Sequence, residues 1–297
     1  MFEFCASPDQ LETLRWFSCY LTSGKHLTFY FSFIVVFVLL ALAAPSALLF
    51  GLISATASRS HNIIIRSIGR TYIAMVRGVP DIAFFLFVPI ALDQAFEYIR
   101  HKTKCPDITD PVRQGNDFVV CEVAKLPLSS APQNMHEIYG FLLALLAYAI
   151  IFGAFAGNTL FGAMQAVPKG QLETAEAYGM SQRQVFRRIL LPQMWVYALP
   201  GLSNLWMILI KATPLLFLLG VEDIVYWARE LGGAKGSIFT YPHPDWRAWY
   251  FAGLLVFYLV FTGVSEWALG KLMTRVNYAR TQTARKPKNP KPAGAAA

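Results

Sequence analysis

Residues 167–192 read VPKGQLETAEAYGMSQRQVFRRILLP, a polar, basic stretch set between two long apolar runs. Gln171 to Tyr178 predicts a short helix. Gly179 then permits a turn that residues with a Cβ resist. Ser181 is an N-cap candidate with Gln184 three residues on, as in a capping box. The second helix is expected to run to about Leu191, with Pro192 ahead of the next apolar run. Ala175 and Ala177 are small enough to let a partner backbone come close. The plainer reading of the stretch is an amphipathic connector lying on a membrane.

Working outward, the 297 residues are 55% hydrophobic and 15% charged, against about 25% charged in soluble domains. A membrane helix needs roughly 20 mostly apolar residues, and in lipid only helices and closed barrels satisfy the backbone. The runs here are too long and too unalternating for barrel strands. They predict an all-α integral membrane protein with five spans: Phe29–Ile53, Tyr72–Phe96, Ile138–Met164, Trp195–Leu219 and Trp246–Leu269. The N-terminus carries Glu3, Asp9 and Glu12 in place of the basic region of a cleavable signal. Of the net charge of +8, the four cations Arg285, Lys286, Lys288 and Lys291 lie after the last span, in TQTARKPKNPKPAGAAA. They therefore read as a topology signal with a possible contact to anionic lipid, not as a nucleic-acid surface. No internal repeat is visible.

One set of connectors, residues 58–70, 167–192 and the C-terminal tail, holds fourteen basic residues and only Glu173 and Glu176 as acids. The positive-inside rule puts these connectors in the cytoplasm and the N-terminus outside. The outer side then holds 1–28, a 97–137 insertion, residues 220–245 and all four cysteines. Four cysteines allow three pairings. The local pairs Cys5–Cys19 and Cys105–Cys121 close the shortest loops, and free thiols are the alternative. No Cys/His spacing points to a metal. Residues 276–297 are expected to be a disordered basic tail.

The spacing Glu173-Thr174-Ala175, Gly179, Ile189, Leu191, Pro192 resembles the "EAA" loop (E-A-A-x3-G-x9-I-x-L-P) of ABC-importer membrane subunits, with Thr174 where that pattern has Ala. Arg77-Gly78-Val79-Pro80, Val167-Pro168-Lys169-Gly170-Gln171, Ala198-Leu199-Pro200, Lys211-Ala212-Thr213 and Gly220-Val221-Glu222-Asp223 are similar to segments of polar amino acid permeases. The likeness is greatest to the Q-type subunits of histidine, lysine/arginine/ornithine and opine importers, and spans about residues 29–275. It implies a type I importer fold in the bacterial inner membrane, with residues 165–193 as the cytoplasmic coupling loop. It also implies a dimeric ATPase partner carrying ATP and Mg, a second permease chain (M-type, or a copy of this one) and a periplasmic solute-binding protein. This chain would bind no cofactor.

Ionisable groups inside a membrane are functional candidates by default. Arg77 and Asp81, four residues apart, are placed to pair, with Pro80 kinking or starting a helix. A snorkelling Arg77 is the alternative. Lys211 and Thr213-Pro214 mark an interrupted fourth span. Phe155, Asn158 and Phe161 share a face of the third; the resemblance puts an aromatic, a Glu and an Arg there, so two of the three have changed. Glu222, Asp223, Glu230 and Asp245 read as an acidic outer rim. The reading is a pore-forming subunit for polar, basic amino acids, with a stand-alone carrier or channel as the alternative. An intramembrane enzyme would need H-E-x-x-H or G-x-S-x-G, which the sequence lacks.

Overall fold

Ten helices account for most of the chain in the computed structural model, which describes residues 5, 12–107, 112–114, 117–119 and 121–283. They are α1 Thr13–Leu21, α2 Gly24–Arg59, α3 Ile63–Gly78, α4 Asp81–Lys104, α5 Gln133–Ala166, α6 Lys169–Ala177, α7 Gln182–Val185, α8 Leu191–Ala212, α9 Ile224–Gly232 and α10 Arg247–Thr283. Five segments are long and apolar enough to cross a membrane: α2, α4, α5, the stretch Gln182–Leu219 and α10. At 1.5 Å per residue, the 36 residues of α2 span about 54 Å. That exceeds a hydrocarbon layer of about 30 Å, so the ends of the helix stand in the headgroup region.

Small residues let α2 and α5 cross closely. A Cβ on Gly51 would come within 2.7 Å of the Ala156 Cβ, and one on Gly153 within 2.5 Å of the Phe50 Cβ. In lipid, where burial of apolar surface does not drive helices together, such contacts and hydrogen bonds must do so. Two cores result. The larger gathers Leu39, Leu40, Phe85, Tyr148, Ile151 and Leu216. The smaller, at the end carrying α6, gathers Ala55, Leu160, Met164, Val167, Leu190 and Met194.

The second expected span is two helices. Val79 is extended (φ −115°, ψ 144°), as the residue before a proline prefers, and Pro80 caps the start of α4. Tyr72 therefore lies on α3, where its hydroxyl donates to Ile150 O of α5. Arg77 and Asp81, expected to pair, fall on opposite sides of this break and form no ion pair among those of the described residues. The expected 97–137 insertion is shorter than read, because α4 continues to Lys104 and α5 begins at Gln133. A disulfide joins Cys105 to Cys121 between them, and Val112–Gln114 pairs antiparallel with Asp117–Val119 as β1 and β2. A second disulfide joins Cys5 to Cys19. At the far end α10 runs on to Thr283, through the first part of the expected tail; residues 284–297 lie outside the described residues, as do Glu3 and Asp9.

An aromatic and histidine cluster ties the helix ends together on the side opposite α6. The Tyr20 and Tyr250 hydroxyls are 3.0 Å apart. His26 Nε2 lies 2.6 Å from the Tyr250 hydroxyl, and His243 Nε2 3.2 Å from that of Tyr20.

Candidate functional site

The α6–α7 elbow is built from local rules. Gly179 has φ 82°, the left-handed conformation that ends many helices. Met180 N donates to Ala175 O at 3.1 Å and Gly179 N to Glu176 O at 2.9 Å, the two bonds of a Schellman motif. Ser181 and Gln184 form a capping box, with Ser181 N donating to Gln184 Oε1 at 2.9 Å. Gln182 Nε2 reaches back to Glu176 Oε1 at 3.3 Å and braces the bend. Thr174, the departure from the EAA pattern, turns its hydroxyl onto Gly170 O at 2.6 Å.

One side of this elbow is anchored and the other is bare. Ala175 and Val185 are buried, and Leu172 and Phe186 pack against the smaller core. Glu173, Thr174, Glu176 and Ala177 are exposed, and Tyr178 is 86% exposed. Ile189 and Leu191 are half-buried and Pro192 is exposed. The second helix does not stop at Leu191. Residues 186–190 form one widened π turn that runs directly into α8, with Pro192, which has no N–H to give the preceding turn, just past it. The elbow thereby continues into a membrane helix with no loop between them.

The polar residues of the spans separate into two places. Arg77 Nη1 donates to Asn158 Oδ1 at 3.0 Å, linking α3 to α5. Phe155 is half-buried one turn away, while Asp81 is exposed at the first position of α4. Lys211 and Thr213 sit about the end of α8, where Thr213–Leu219 tightens to a 3-10 helix at Pro214. Pro214 has no N–H to give the Ile210 carbonyl, which accepts instead from Thr213 Oγ1 at 2.9 Å; Tyr148 donates to Ala212 O at 2.6 Å and ties α5 to the end of α8. Thr213 is fully buried and Lys211 is exposed.

The acidic rim expected at the outer mouth is largely structural. Asp223 is buried and caps α9, accepting from Val225 N at 3.1 Å and Tyr226 N at 2.9 Å. Burial pushes its carboxyl up to about 7, against the downward pull of those two donors. Glu230 binds Lys235 at 3.0 Å and Lys25 at 3.3 Å, and Lys235 chiefly holds its carboxyl below the usual range. Asp245 pairs with Arg247. Burial raises the partly buried Glu222. The cluster of His101, Cys105 and Cys121 has ligand-type atoms near one another, but both sulfurs are in the disulfide and His101 Nδ1 accepts from Cys121 N at 3.0 Å.

Five apolar helices with a braced polar elbow on one face define a multi-pass membrane protein. The chain belongs to the family of binding-protein-dependent transport system inner membrane components, whose model matches residues 47–278. It is 35% identical over 226 residues to the histidine/lysine/arginine/ornithine transport system permease protein HisQ of Salmonella typhimurium, covering 75% of this chain and 82% of that one. The arginine ABC transporter permease protein ArtQ of Escherichia coli is 29% identical over 219 residues, 74% of this chain and 80% of its own. The octopine transport system permease protein OccQ of Agrobacterium tumefaciens is 30% identical over 195 residues, 65% and 70%. A solved structure described as an amino acid ABC transporter with histidines shares the fold with a TM-score of 0.57, over 86% of this chain and 98% of that one, at 19% identity.

Proposed function

We propose that this chain is the pore-forming permease subunit of an ATP-driven importer of polar, basic amino acids in a bacterial inner membrane. In this reading α6 and α7 form the coupling element that docks on a separate, dimeric ATPase. The carrying observation is the half-bare elbow: apolar residues fix it to the smaller core while Glu173, Thr174 and Tyr178 stand free. ATP and Mg belong to the partner. Glu173, Thr174 and Tyr178 face it, the buried Ala175 anchors α6 behind them and Gly179 sets the turn that presents them, and Ile189, Leu191 and Pro192 pass its movement into α8. The N-terminus lies outside and the elbow in the cytoplasm, in keeping with the basic connectors on that face. A solute-binding protein delivers to the outer mouth, and a second permease chain, an M-type homologue or a copy of this one, completes the path.

Within the path, Arg77 held by Asn158 offers a cation to a carboxylate, a group every amino acid carries. Asn158 itself cannot supply the negative charge that a basic side chain prefers. Recognition of that charge falls to the second chain or the binding protein. The test is ATP hydrolysis by the reconstituted complex with its binding protein across a panel of amino acids. Stimulation by arginine, lysine, histidine or ornithine is the expected result, and stimulation by acidic or neutral solutes alone overturns the substrate assignment. Glu173→Arg is expected to release the ATPase while the chain stays inserted. Unchanged co-purification and transport overturn the docking assignment.

A further inference from the structure

On the face that carries α6, a cavity of about 500 Å³ opens between the ends of α2 and α5, the first half of α3 and the start of α6. Arg59, Arg66, Arg70 and Lys169 line it. Arg66 and Arg70 lie one turn apart on α3, Arg59 ends α2, and Lys169 opens α6. Among the described residues none of the four has a carboxylate at ion-pair distance; the pairs found there are Lys25 and Lys235 with Glu230, and Arg247 with Asp245. Ser58 shares the wall. It is 1% exposed, and its Oγ is buried without a hydrogen-bond partner. Gly69 allows α3 to lie this near, since a Cβ there would come within 2.8 Å of that Oγ.

Four like charges in one cavity repel one another, and an unpartnered buried hydroxyl is unfavourable. An anion with several acceptor oxygens relieves both. Arginine forks match the geometry of a phosphate. The depth is also right. Arg59 stands six residues beyond Ile53, where the apolar run ends, about 9 Å along the helix and so at headgroup level. The same helix that supplies Arg66 and Arg70 exposes Ile63, Ile64 and Ile68 by 64–69%, an apolar surface that suits acyl chains and is of no use to a free ion.

We propose that this cavity binds the phosphate of an anionic phospholipid. The four cations lie on its oxygens, the Ser58 hydroxyl donates to it, and the isoleucines of α3 rest on the acyl chains. Basic pockets between membrane helices take such headgroups elsewhere. The site rests on the membrane-spanning fold alone and does not depend on what is transported.

The test uses the full chain in mild detergent. Native mass spectrometry follows phosphatidylglycerol and phosphatidylcholine with identical acyl chains, with inorganic phosphate as competitor. Phosphatidylglycerol is expected to be retained over phosphatidylcholine. R59Q/R66Q/R70Q is expected to lower its affinity by roughly one to two orders of magnitude and to leave phosphatidylcholine unchanged. K271Q/R275Q, which removes two cations from the last turns of α10, is expected to keep the preference. If the triple variant does not fold, R66Q and R70Q singly decide the matter in the same direction. Equal retention of the two lipids by the wild type overturns the proposal, as does a preference lost in K271Q/R275Q but kept without the three arginines. Displacement of the lipid by phosphate at matching affinity assigns the cavity to a free ion and overturns the lipid assignment.

Discussion

Replacing Gly179 by Asn, Ala and Val in turn probes the elbow at a single backbone angle. The φ of 82° is left-handed, and no atom lies within 4 Å of where a Cβ would stand. A side chain there meets no obstacle, so its whole effect is conformational. For an L-residue that conformation costs roughly 1–2 kcal/mol, which lowers the ratio of formed to unformed turn by a factor of about 5–30. Asn enters the region more readily than Ala, and a β-branched residue least readily. Solute-stimulated ATP hydrolysis in proteoliposomes of the reconstituted complex is therefore expected to fall in the order Gly, Asn, Ala, Val, with Ala lowered by at most about thirty-fold. Because the turn is exposed, the Tm of the isolated chain is expected to stay nearly constant across the series. Full coupling in the Val variant, or a Tm that falls in step with coupling, would refute the reasoning.

Three further outcomes are expected. Gly153→Val drives a side chain against Phe50 and should cost 1–3 kcal/mol or more, read as loss of monodisperse protein on size-exclusion chromatography, whereas Gly140→Val, with nothing within 4 Å, should behave as wild type. Asp223, raised to about 7 by burial, binds its proton more tightly folded than unfolded, so stability should fall as pH rises from about 4 to 7 and stay low above that, by up to about 4 kcal/mol; Asp223→Asn keeps an acceptor for the cap and should flatten Tm against pH over that range, and an unchanged slope counts against the assignment. Reduction of the disulfide between Cys105 and Cys121, whose sequence separation is 16, removes a constraint of roughly 3 kcal/mol on the unfolded chain and should speed limited proteolysis between α4 and α5 without cutting the membrane helices.

Much of the elbow was legible because its devices are local. Gly179, the Ser181–Gln184 box and the flanking apolar runs act within a few residues, so spacing alone exposes them. The break at Val79-Pro80 was legible only in part: proline allows either a kink or a new start, and the extended Val79 before it makes it a new start. Asp81 lies near in sequence but belongs to the next helix, whereas Asn158 lies 81 residues away and receives the hydrogen bond. The outer carboxylates misled for the converse reason. Asp223 looks like any rim acid in sequence, yet it is fully buried because α9 needs a cap where the chain re-enters the core.

By itself, the sequence determined the number of membrane helices, the basic face and the elbow's turns, since hydropathy, charge and helix-end chemistry are read over one to twenty neighbouring residues. Tertiary structure alone decided which polar groups meet: Arg77 with Asn158, Tyr148 with the Ala212 carbonyl at the end of α8, and Arg59, Arg66, Arg70 and Lys169 around one cavity. Those groupings depend on how closely α2, α3 and α5 approach, and that distance is set by which small residues face one another across the crossing, a property of two helices together that neither carries alone.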